Sequence, residues 1–209
     1  MTFSKKSLAA IQADVNNIKA DVNKAYNIVD GKKNDYTQEG AQKAFKNWLY
    51  QYDVPGKLID ARHDVQAWRD SAQRQADKAR AKLYPKANDV NEQLAAELAV
   101  SRIMGRGNFD RESFLQQFDT LGATATRTLL IEESIARGII SQDVIEGYTM
   151  QTNEDYRQLT TQAQKAAALA HSVEHQIDYL ERKGDNMHLE AGATASVDVS
   201  KIEGAEVEY

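Results

Sequence analysis

Between Thr152 and Lys183 the residues Tyr156, Leu159, Ala163, Ala166, Ala170, Val173, Ile177 and Leu180 recur at alternating spacings of three and four. An α-helix turns every 3.6 residues, so this near-3.5 repeat draws one apolar stripe along a helix and demands a partner helix that coils slightly around it. No Pro or Gly interrupts the stretch. At a rise of 1.5 Å per residue the helix predicted over 152–183 is roughly 48 Å long. Thr152 with Asp155 resembles a capping box at its start, and Gly184 marks its end.

A second stripe follows the same rule. Leu8, Ile11, Val15, Ile18, Val22, Ala25 and Val29 predict a helix over 4–30, closed by Gly31. A third long helix is predicted over 57–84, with Leu58, Ala61, Val65, Trp68, Ala72, Ala76, Ala79 and Leu83 on or near one face. Its alanines, like those of the 152–183 helix, lie in the middle with large residues at the ends. Small side chains let helix axes approach closely, so these two helices are expected to pack together. Which chain supplies each partner is open, since seams closed within one chain and between chains obey the same periodicity.

Shorter helices fill the intervals. Ala41, Ala44, Phe45, Trp48, Leu49 and Tyr52 indicate one over 37–53, ended by Val54-Pro55-Gly56. Asp89 and Glu92 form a capping box for 89–104, whose apolar residues are Val90, Leu94, Leu98 and Ile103. Three more helices are expected over 110–121, 125–137 and 141–149, the last opened by Ser141, as a compact Phe-, Leu- and Ile-rich plug. With 2 Pro and 11 Gly in 209 residues, nothing argues for a β-rich alternative. The expected fold is therefore all-α: an elongated bundle of long heptad-patterned helices with a cluster of shorter ones, as one body over 1–184.

Residues 185–209 form an acidic appendage. Six acids face one base there, so the segment accounts for the whole formal charge of −5 and the helical body is balanced. A balanced body has no global field to draw in nucleic acid. The tail alternates apolar and polar residues, predicting either disorder or a strand added to a partner's sheet, with Val197, Val199, Ile202, Val207 and Tyr209 as its partner-binding residues.

Chemistry has little to work with. The chain has no Cys, which removes disulfides, thiolate metal sites and cysteine nucleophiles. No serine lies in a G-x-S-x-G context, Gly105-Arg106-Gly107 is no phosphate-binding fingerprint, and Glu132 and Glu133 are adjacent rather than opposed across a cleft. His171 and His175 share a helix face with Asp178 and have metal-ligand spacing, but the heptad frame turns them outward. Asp60-x-x-His63 and Asp185-x-x-His188 are the nearest approaches to a di-metal bundle motif. No catalytic residue, metal or cofactor is expected. Between Arg69 and Lys86 six bases outnumber two acids, and Arg74, Lys78 and Lys82 lie on one face as a possible anion-binding row.

The expected function is thus non-enzymatic: a helical structural or assembly protein acting through protein contacts, as a homo-oligomer or part of a larger assembly. Its interaction seam would be Leu8, Ile11, Val15, Ile18 and Val22 with the stripe from Tyr156 to Leu180. An adaptor or inhibitor that occupies another protein is the alternative, and nucleic-acid association through the Arg69 to Lys86 face comes after it. In size, helicity and lack of cysteine the chain resembles helical scaffolding, internal or connector-associated proteins of tailed bacteriophages, which implies a scaffold, connector or virion-associated role. The first fifteen residues lack the apolar core of a signal peptide, and no stretch reaches membrane-spanning length, so the expected setting is cytoplasm, or the virion for a phage protein.

Overall fold

The computed structural model describes residues 6–105, 107, 109–188 and 198–202. Among them are eight α-helices and no strand. They are α1 (Leu8–Asp30), α2 (Gln38–Gln51), α3 (Val54–Leu83), α4 (Val90–Met104), α5 (Arg111–Thr120), α6 (Ala125–Ala136), α7 (Gln142–Thr152) and α8 (Glu154–Asp185). The all-α expectation and the order of long and short helices both hold.

The local signals that start and stop these helices differ in instructive ways. Ser7 and Thr37 cap α1 and α2, their hydroxyls accepting from the amides of Ala10 and Gly40. Asp89 caps α4 through the Glu92 amide at 2.8 Å, while the Glu92 carboxylate reaches past Asp89 to accept from the Asn88 amide at 2.7 Å. Ser141 holds the N-cap position of α7 without a capping hydrogen bond. Thr152 does not open α8: it is the last residue of α7 and its hydroxyl donates back to the Tyr148 carbonyl. Asn153 supplies the cap, its side-chain oxygen accepting from the Tyr156 amide at 2.8 Å. Val54-Pro55-Gly56 is likewise not a break, since α3 begins at Val54 and proline is tolerated in a first turn, where amides lack helical partners. The chain reverses one residue earlier, at Asp53, the one non-glycine with positive φ (52°) among the described residues.

By its contacts the chain divides into two compact units, 1–73 with 162–209, and 74–161. The sequence suggested a single body, but the buried apolar residues form two separate clusters. In the first unit the stripes of α1, α3 and α8 share one core with α2: Val15, Ile18, Phe45, Val65, Val173 and Ile177 are all sealed from solvent. Ion pairs at the rim give the helix directions. Arg62 of α3 meets Asp178 and Glu181 of α8 at 2.7 and 2.9 Å, and Arg69 meets Glu174 at 3.0 Å, so the two run antiparallel and pack as their seams predict. Lys57 with Asp21 (2.7 Å) and Lys6 with Asp64 (3.1 Å) set α1 antiparallel to α3 in the same way. Buried Ala72, Ala166 and Ala170 allow the close approach.

One polar pair sits within this core. Gln12 is 1% exposed, and it exchanges two hydrogen bonds with Gln176: its amide donates at 2.8 Å and its carbonyl oxygen accepts at 3.0 Å. Beyond the middle of α8 the chain is held by α2. Gln42 donates to the Gly184 carbonyl and accepts from the Met187 amide, and Met187 is buried. Gly184 does not terminate α8; it lies inside the last turn, where a Cβ would come within 3.3 Å of Leu49 Cδ1.

In the second unit Val100, Met104, Phe114, Phe118, Leu130, Ile140 and Ile145 form the core. Phe118 is its hub, 5.6 Å from the rings of Phe114 and Tyr148. Gly138 takes a left-handed φ of 69°, and the Ile139 amide donates back to the Ser134 carbonyl, closing α6 with a Schellman turn.

Candidate functional site

The predicted seam turns out to be interior. Leu8, Ile11, Val15, Ile18 and Val22 of α1 and Ala163, Ala166, Ala170, Val173, Ile177 and Leu180 of α8 are buried within the first unit; in the second, Tyr156 is buried and Leu159 half-buried. Intrachain packing therefore occupies these residues, and a partner reaches them only by opening a core. The tail is reassigned too. Val197, Val207 and Tyr209 lie outside the described residues, but Val199 is fully buried in a 3-10 turn (Val199–Lys201) against α1, whereas Ile202 remains exposed. The alternation around Val199 suggested disorder or an extended strand; at this length a period of two is too weak a signal to outweigh an open place on a helical core.

The apolar surface left over lies on α4. Of the apolar residues Val90, Leu94, Leu98 and Ile103 only Ile103 packs on the core, and the helix buries Ala96, Val100 and Met104. Val90, Leu94 and Leu98 stand 79, 54 and 51% exposed, one turn apart along the outer side. This orientation has a packing cause: α4 lies against α6, and small Ala96 lets it approach while Val100 and Met104 reach the core. Sequence could not choose between two apolar sides of one helix. The Asp89 and Glu92 carboxylates stand at the start of this helix and Arg102 near its end, so α4 is acidic at one end and basic at the other.

The basic stretch is partly consumed. Arg69 is tied to Glu174 and Arg80 stands 3.8 Å from Glu146. Arg74, Lys78 and Lys82 form an exposed row on α3. An open groove of about 520 Å³ runs beside it within the second unit, with Tyr84, Ile131, Ile135 and Ile145 as apolar walls and Arg80, Lys86, Asp77 and Glu132 as charges of both signs.

Sequence reasoning missed Arg127. Its guanidinium lies 3.6 Å over the Phe118 ring and 5.6 Å from that of Tyr84, and its Nε is buried without a hydrogen-bond partner. Desolvation holds its pKa below the ordinary arginine value. Tyr84, hydrogen-bonded to the Thr149 hydroxyl, is raised by burial. Tyr156, which donates to Glu146, is pushed up to about 12, first by burial and then by that carboxylate. No periodic pattern announces a cation stacked on an aromatic ring, so nothing in the sequence singled out Arg127.

His171 and His175 do share an outward face of α8, with Nε2 atoms 3.0 Å apart, but Asp178 is not with them; Arg62 engages it. Among the described residues no group of three or more His, Cys, Asp or Glu is placed to hold a metal, and no helix is long and apolar enough to cross a membrane. Comparison of the chain with family models, curated proteins and solved structures finds no match.

Proposed function

We propose that this chain is a non-enzymatic structural or assembly protein that works by protein contact, with the outer side of α4 as its contact surface and a second copy as its partner. The carrying observation is the row Val90, Leu94, Leu98, three large apolar residues left in water one turn apart. Such a strip, roughly 300 Å², is comparable to the largest apolar patch on a typical monomer, a patch that is often functional. Two copies of α4 pair best antiparallel about a two-fold axis. Leu94 then faces Leu98 of the other copy, and Arg102 of each lies near Asp89 and Glu92 of the other, which parallel pairing would not allow. The strip alone is well short of the ~800 Å² per partner typical of stable specific interfaces, so the association is weak and concentration-dependent unless a larger assembly reinforces it. A scaffold or virion-associated component, present at high local concentration, suits that strength.

Light scattering and sedimentation over a concentration series test the reading. The parent chain should move from monomer toward dimer, and the Leu94→Asp/Leu98→Asp variant should stay monomeric with unchanged circular dichroism. A parent that is monomeric throughout, or a variant that associates equally well, refutes it. The exposed row Arg74, Lys78 and Lys82 favours a second reading, association with nucleic acid. Its signature would be steeply salt-dependent binding lost on charge reversal of the row.

A further inference from the structure

The two histidines on the outer side of α8 have a geometry that the helical repeat alone does not dictate. Spacing by four puts both imidazoles on one face, but their ring centroids lie only 4.2 Å apart and their Nε2 atoms share a hydrogen bond of 3.0 Å, whose proton a bound ion would displace to Nδ1. The neighbouring carboxylates do not hold these rings in place. Asp178 is engaged by Arg62 at 2.7 Å, and one oxygen of Glu174 by Arg69 at 3.0 Å. Only the other oxygen of Glu174 turns toward His171, 3.9 Å from its Nδ1.

We propose that His171 and His175 form a two-imidazole chelate for a divalent transition metal, Cu2+ or Ni2+ in preference to Zn2+, with water in the remaining positions. Imidazole nitrogen binds such ions at about 2.0–2.1 Å, so two nitrogens 3.0 Å apart subtend about 95° at a shared ion. That is compatible with adjacent corners of a square-planar or octahedral site. Tetragonal nitrogen sites are the habit of Cu2+ and Ni2+, and imidazole affinity rises from Ni2+ to Cu2+ and falls again at Zn2+. Binding through both Nε2 atoms fixes the remaining proton of each ring on Nδ1. For His171 the nearest carboxylate to that proton is Glu174, whose Oε2 lies 3.9 Å from Nδ1, beyond hydrogen-bond range. The His171 side chain is 68% exposed, so ions enter without any movement of the backbone.

The test uses the full-length, tag-free chain in a non-coordinating buffer, titrated with CuCl2, NiCl2 and ZnCl2 separately by calorimetry, with electron paramagnetic resonance of the copper sample. The expected result is one saturable Cu2+ site per chain with nitrogen coupling in the spectrum, tighter than Ni2+ and Zn2+. His171→Gln and His175→Gln should each weaken it on the order of tenfold or more, since either leaves a single imidazole donor. His63→Gln and His188→Gln are controls expected to leave it unchanged. Because all four side chains are exposed, circular dichroism should show every variant folded. Absence of saturable Cu2+ binding, equal binding by the His171→Gln/His175→Gln double variant, or loss of binding in either control overturns the proposal. The outcome is independent of whether α4 pairs.

Discussion

The Gln12–Gln176 pair offers a quantitative test of how the first unit chooses its register. Gln12 is sealed in the core, where its amide and carbonyl are matched by one residue 164 positions away. Replacing Gln12 alone with Leu keeps the volume but removes the two bonds that Gln176 makes with it. Leaving a part-buried amide unsatisfied costs about 1–3 kcal/mol, less whatever apolar burial the new Leu gains. The reciprocal Gln176→Leu change leaves the more deeply buried Gln12 with its carbonyl oxygen unmatched and its amide held only by Asn16 at 3.3 Å, and should cost a similar amount. Replacing both removes the need for either bond, so the double variant should lie within about 1 kcal/mol of the parent. The cycle then closes with a coupling energy of about 1–3 kcal/mol, far above the few tenths expected of independent sites. Both tryptophans, Trp48 and Trp68, lie in the first unit, so urea titration followed by tryptophan fluorescence reads that unit selectively. Strictly additive effects of the two replacements would refute the claim that this pair acts as one polar lock.

Two further perturbations test other parts of the structure. Val199→Ala should destabilise the first unit by about 1.5–3 kcal/mol, because two buried carbons are lost and a cavity remains; no change in the fluorescence-detected midpoint would mean that the tail does not seat on α1. Tyr156 binds its proton more tightly when folded, at about 12 against roughly 10 for a free tyrosine. Its contribution to stability is therefore fully present below pH 10 and is lost as pH rises from there toward 12. Alkaline unfolding of the second unit should accordingly be less steep in Tyr156→Phe, and identical alkaline profiles would contradict the burial argument.

The legible parts of this molecule were those governed by period. The stripes on α1 and α8 extend over many turns, so chance matches are few, and each residue from Leu8 to Val29 at the predicted spacing is buried. Single-residue signals fared worse, for reasons that are local and chemical. Thr152 and Asn153 are both competent caps, and the choice between them depends on whether Thr152 is still needed by α7. Gly184 looked like a stop, but the absence of a side chain serves Leu49 rather than a turn. The inward side of α4 was not legible because both sides carry apolar residues, and packing against α6 decides between them. Gln12 stands beside the α1 stripe and reads as a solvated residue until Gln176, far along the chain, is set against it. The His171 and His175 face was visible from spacing; the 3.0 Å separation of their nitrogens was not.

The second unit, 74–161, is an insertion between the two halves of the first. A ribosome therefore delivers α1 and α2 long before α8, and these helices must wait with their greasy edges uncovered. Should residues 74–161 condense as soon as they emerge, the flexible tether between Gln12 and Gln176 is roughly halved, which lowers the loop-closure cost by about 0.6 kcal/mol. The insert would then serve as a light splint during synthesis, and mutations inside it would show up as slower maturation of the first unit.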